Sequence, residues 1–98
     1  MTQPPDIERY VERSFLAAER AAALQLIGAA VIHDGQRASP RLIRCALVSS
    51  AGDLARLRAE LDHLKTDYRD VILGAEYVRQ AGEWVRVRDL NEPFPDDA

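Results

Sequence analysis

The chain has 98 residues, 47% of them hydrophobic and 30% charged, with a formal net charge of −3. That length supports one domain with a modest core, and that composition excludes a disordered chain. The charge and the cysteine count exclude two further classes: no basic excess marks a nucleic-acid footprint, and Cys45, the single cysteine, cannot form an internal disulfide.

The charge is unevenly spread. Residues 1–49 carry six arginines against five acids, and residues 50–98 carry seven basic residues against eleven acids. Neither half has the charge of a DNA or RNA reader. A lone cysteine fits a reducing compartment, and no basic-then-apolar leader opens the chain, so a cytoplasmic location without a signal peptide is expected. The apolar stretch at 21–32, AAALQLIGAAVI, falls short of the roughly 18–20 residues that cross a bilayer. Four of the five prolines lie in MTQPPD and NEPFPDDA, so residues 1–5 and 91–98 are expected to fray.

In chain order, Pro5 and Asp6 suit a helix entry. Apolar positions then recur at Ile7, Val11, Phe15, Ala18, Ala22, Leu26 and Ala29, which describes one helical face. A second stripe through Tyr10, Ala17, Ala21, Leu24 and Val31 merges with it after residue 20. The reading is one helix over 6–33, its second half buried on most sides, ended by an Asp34–Gly35 turn. Ser39 and Pro40 form a cap and first-turn pair for a second helix over 40–51, with Leu42, Ile43, Ala46 and Leu47 inward and Gly52 at its end. Asp53 caps a third helix over 53–65 with a stripe of Leu54, Leu57, Leu61 and Leu64. Thr66 or Asp67 caps a fourth over 67–81 with Tyr68, Val71, Ile72, Ala75 and Val78 inward. At 83–90, EWVRVRDL, the period changes to alternation, as in a strand. The sequence shows no second strand for it, so it either packs on the helices or pairs with another molecule. The fold class expected is all-α: a single domain, 1–98, of about four helices with a short extended or β-like C-terminal segment.

Residues 40–77 resemble a group of short bacterial helical proteins. The matching residues are Gly52, Asp53, Leu54, Leu57, Asp67, Tyr68, Arg69, Asp70, Val71, Ala75, Glu76 and Tyr77, a GDL…L…DYRDV…AEY pattern. The resemblance implies a helical fold and a bacterial source. It implies no activity, and therefore no catalytic residue.

Chemistry-bearing residues are few. Asp67, Asp70 and Glu76 are the one candidate carboxylate cluster for an enzyme or a metal site. Against that, aspartates at a helix start cap and complement the dipole, and Glu76 reads as solvent-facing. His33 and His63 lack partners at zinc-ligand spacing. Cys45 sits mid-helix beside the apolar face, as a structural thiol does. The second and third helices with their Gly-Asp turn outline a helix-turn-helix DNA reader, but residues 53–65 carry zero net charge where a reading helix is basic. No catalytic, cofactor or metal set is legible. Arg79, Trp84, Arg86 and Arg88 form the strongest candidate binding surface, since Arg and Trp are enriched at interface hot spots. The competing assignment has Trp84 covering the end of the core and the arginines paired with Asp89, Glu92, Asp96 and Asp97. The function expected is a non-enzymatic protein-interaction module, self-associating as a homodimer or binding another protein.

Overall fold

The computed structural model describes residues 3–95. Among them, four helices precede a two-stranded antiparallel hairpin: α1 Pro5–Ser14, α2 Arg20–Gly28, α3 Pro40–Ser50, α4 Leu54–Glu76, β1 Tyr77–Gln80 and β2 Glu83–Arg86. The all-α class with a β-like C-terminal segment is the class observed.

The single helix expected over 6–33 is two helices. After Ser14 the backbone is extended at Phe15 and Leu16, and a 3-10 turn, Ala17–Glu19, leads into α2. The inward face shifts at the break: α1 buries Ile7 and Val11, whereas α2 buries Ala23 and Ile27, which lie on neither expected stripe, and the expected Ala18 and Ala29 are exposed. The break buries Phe15 and leaves Leu16 outside. The expected central helix is also elsewhere. In α3 every residue from Leu42 to Leu47 is buried, while α2 buries only Ala23 and Ile27. A helix enclosed on nearly all sides is the centre of its bundle, and α3 packs most extensively on α4. The Asp34–Gly35 turn forms as expected: Gly35 adopts φ +83°, and Val31 and Arg37 bridge across it.

The start of α3 follows its sequence signals. Ser39 Oγ accepts a bond from the Leu42 N–H at 3.4 Å, and Pro40 occupies the first turn. Ala51 takes the left-handed C-cap conformation, φ 52°, and Gly52 follows at φ +79°. Gly52 is required there, because a Cβ would collide with the Ser14 carbonyl oxygen. Asp53 then caps α4 by accepting from the Arg56 N–H at 3.0 Å.

The third and fourth expected helices are the two arms of α4. Asp67 departs from helical geometry (φ −157°, ψ 94°) and caps the second arm by accepting from the Arg69 N–H at 3.1 Å. That arm stops at Glu76 rather than residue 81. The missing partner strand is therefore Tyr77–Gln80, which pairs with Glu83–Arg86. Ala81 and Gly82, the expected helix end, are instead the hairpin turn, both with positive φ. That is the two-residue turn whose twist matches paired strands.

Of residues 91–95, expected to fray, Phe94 packs on α1 while the other four are exposed. Leu90 and Phe94 are buried, and the Phe94 ring stacks on Tyr10 at 4.2 Å between centroids. Of the other residues expected to fray, 3–5 are described, with Pro4 the N-cap and Pro5 the first residue of α1, and 1, 2 and 96–98 lie outside the described residues.

Candidate functional site

The first half of α3 sets three chemistry-bearing side chains among apolar ones: Arg41, Arg44 and Cys45. Steps of three and four residues place them on neighbouring faces of one helical turn. Each arginine meets a carboxylate buried by a different element.

Arg44 grips Asp6 of α1 with two bonds, Nε to Oδ2 at 2.9 Å and Nη2 to Oδ1 at 3.1 Å. Its Nη1 donates to the carbonyls of Leu90 and Asn91, and the Phe94 N–H donates to Asp6 Oδ2 at 3.1 Å. Both side chains are almost fully enclosed. Burial alone would raise the Asp6 pKa, but the Arg44 guanidinium and the Phe94 N–H outweigh it and hold the carboxyl below its ordinary value.

Glu76, expected to face solvent, is fully buried at the end of α4. Arg41 donates to it at 3.0 and 2.9 Å, Arg86 of β2 at 3.1 and 2.8 Å, and the Leu90 N–H at 3.2 Å. Burial disfavours its charge, yet these donors keep its pKa below the usual carboxylate range. Cys45 Sγ lies 3.9 Å from Glu76 Oε2. Enclosure, and then the neighbouring carboxylate, push that thiol up to about 12, so it stays protonated and is a poor nucleophile. Among the described residues, no buried side-chain polar atom lacks a partner. The two clamps are filled ionic joints that leave no reactive group pointed at open space.

Asp67, Asp70 and Glu76 do three separate jobs. Asp67 caps the second arm of α4, Asp70 faces His63 at 3.5 Å on the surface, and Glu76 is in the core. No described group of three His, Cys, Asp or Glu side chains converges as a metal site. His33 lies parallel to Tyr68 at 6.4 Å. Over residues 53–65, exposed Arg56, Arg58 and Lys65 stand among exposed Asp53 and Asp62 and half-buried Glu60, a net charge of zero.

Of the four candidate interaction residues, Arg79 and Trp84 sit side by side on one face of the hairpin. They are a cross-strand pair, with the Arg79 guanidinium carbon 5.4 Å from the Trp84 ring centroid. Arg86 turns inward to Glu76 and also pairs with Asp89 at 2.9 Å, as the competing assignment anticipated for Asp89. Arg88 donates to the Ala75 carbonyl at 2.7 Å. Asp96 and Asp97 lie outside the described residues. Trp84 does not close the core: half of it is exposed, and Val78, Val85 and Val87 are 39%, 37% and 44% exposed.

The Asp6–Arg44 and Glu76–Arg41–Arg86 clamps went unread in the sequence. One signal was present. Glu76 stands four residues after Ile72 and five after Val71, on the apolar stripe of its helix, and Arg41 precedes and Arg44 interrupts the apolar run of α3.

Among the described residues, no helix is long and apolar enough to cross a membrane. No family model, curated protein or solved structure matches the chain.

Proposed function

We propose that this chain is a non-catalytic protein-interaction module of the cytoplasm, using no cofactor, whose contact surface is the β1–β2 hairpin. The observation that carries the reading is the apolar exposure on that hairpin. A two-stranded hairpin is marginal by itself. This one is anchored at its base by Arg86 on Glu76, yet it holds Trp84 and three valines open to solvent. Exposed valines on one face of the hairpin, with an arginine–tryptophan pair on the other, are features of an interface. The partner is another protein or a second copy of the chain. Membership of the group of short bacterial helical proteins with the GDL…DYRDV…AEY pattern belongs to the same proposal. No observation favours the carboxylate enzyme or metal site, since its three residues are dispersed, or the helix-turn-helix reader, since residues 53–65 carry zero net charge.

The test is photo-crosslinking in the native cell, with the photoreactive residue at position 84 or, as a control, at exposed position 58 on α4. The expected result is a discrete protein adduct, or a doubled chain, from position 84 only. Equal or absent adducts at the two positions would remove the hairpin from the role.

A further inference from the structure

A two-stranded sheet has two open edges. The Val87 N–H donates to the Glu76 carbonyl at 2.7 Å, so the backbone groups of Val87, and of Val85 two residues earlier, point toward β1. Those of Trp84 and Arg86, by alternation along the strand, point outward. Among the described residues no backbone group pairs with them there. Residues paired across the ladder share a face. Val78 and Val85, with Val87 beyond, make an apolar one, and Arg79 and Trp84, with Tyr77 and Arg86, make a cationic and aromatic one.

Charge decides what fits this edge. Residues 77–88 hold three arginines against Glu83, in a chain whose net charge is −3. Arg86 is neutralised by Glu76 and Asp89, whereas Arg79 and Arg88 bond carbonyl oxygens and face no carboxylate among the described residues. A second copy laid along β2 would bring like cations onto one face, which opposes pairing. An acidic strand would complement them.

We propose that the outer edge of β2 is a docking site for an extended acidic segment of another protein, added as an antiparallel third strand with acidic and apolar residues alternating. The inference rests on the interaction-module reading and narrows it to one kind of partner. The segment's backbone pairs with Trp84 and Arg86. Its acidic residues share the face of Trp84, Arg79 and Arg88, and its apolar residues cover Val85 and Val87.

The probe is a labelled peptide of about seven residues alternating Glu and Val, one strand's length, titrated with the full chain by fluorescence anisotropy. The expected result is saturable binding that weakens with salt. Trp84→Ala weakens it about tenfold or more, as a central aromatic contact does. N-methylation of the Glu amides, which face β2 in this register, abolishes binding, while N-methylation of the Val amides leaves it. Arg79→Glu, checked for fold by circular dichroism, loses the acidic probe and gains one with Lys in place of Glu. Absence of binding at millimolar peptide, equal binding of the Lys probe to the unmodified chain, indifference to which amides are methylated, or tighter binding of a single-stranded oligonucleotide overturns the proposal. If the acidic probe fails while position 84 still crosslinks to a protein, this occupant falls and the interaction module stands. A doubled chain from position 84 replaces the acidic segment with a second copy. If position 84 gives no specific adduct while the peptide behaves as expected, the docking chemistry holds and the cellular role is what fails.

Discussion

Arg44 shows how much one side chain can hold. It joins α1 to α3 through Asp6 and the C-terminal segment to both through the carbonyls of Leu90 and Asn91. Replacing it with alanine leaves a buried, uncompensated carboxylate. Arg44→Ala should therefore cost about 3–5 kcal/mol, measured by urea unfolding. The double variant Asp6→Asn, Arg44→Met, which removes both charges, should recover a large part of that loss. The two buried carboxyls also set the response to acid. Asp6 and Glu76 have folded-state pKa values below their ordinary ones. Each therefore binds its proton more readily unfolded, and its contribution is complete above the ordinary carboxylate pKa. It declines as pH falls below that value and is gone below the folded one. A melting temperature that is flat near neutrality and falls steeply below about pH 4 is the expected profile. In the Asp6→Asn, Arg44→Met variant, Glu76 alone contributes, so the fall should be shallower.

At the scale of elements, the loop between α3 and α4 is where three pieces meet. Gly52 sits at φ +79° with the Ser14 carbonyl at the position a Cβ would take. Gly52→Ala therefore combines backbone strain with a collision against main chain, and should destabilise by more than the roughly 1–3 kcal/mol of strain alone. Gly35→Ala, with positive φ but open space around it, separates the two effects and should cost less. The pair is compared by thermal melting. The first arm of α4 gives the packing test. Leu57 is fully buried and Leu61 nearly so, and truncating either to alanine should cost about 2–5 kcal/mol in denaturant unfolding. A change near zero would mean that this leucine stripe is not in the core. The second arm teaches a different lesson. Its apolar spacing continues through Val78, but the chain leaves the helix after Glu76. The ladder from Tyr77 to Gln80 and the seating of Arg86 on Glu76 outweigh one more turn of helix.

At the scale of the whole molecule, burial is greatest in α3 and declines outward to the hairpin. The Cα radius of gyration is 13.1 Å, near the roughly 13 Å of a compact chain this long. The hairpin extends the fold without adding to its core, since seven of its eight strand residues are exposed. Native-state hydrogen exchange should follow this gradient. Amides of α3 should exchange only through global unfolding, and those of β1 and β2 through local opening at much lower free energy. Uniform protection would mean the hairpin is as firmly held as the core. Protection of Trp84 and Arg86 amides that appears only with an acidic peptide present would mark the outer edge as occupied.

Some of this was settled by the amino-acid sequence alone. The Ser39–Pro40 and Asp53 helix starts, the Asp34–Gly35 turn, the leucine stripe of α4 and the helical class all rest on contacts within a few residues, which the chain makes wherever it is placed. The alternation at 83–90 likewise marked an extended segment, and Glu83–Arg86 is a strand. Other features depended on elements distant in the chain. The break after Ser14 is hidden by the alanines that follow it, which put an apolar residue on the expected stripe whichever face turns inward. The helix-to-strand change at Tyr77 turns on a pairing with β2, because the local preference of residues 77–80 is too weak to choose. Burial of Asp6 and Glu76 required Arg44 and Arg41, 38 and 35 residues away. A carboxylate in isolation belongs in water, and only the tertiary structure brought the opposite charges that hold these two inside.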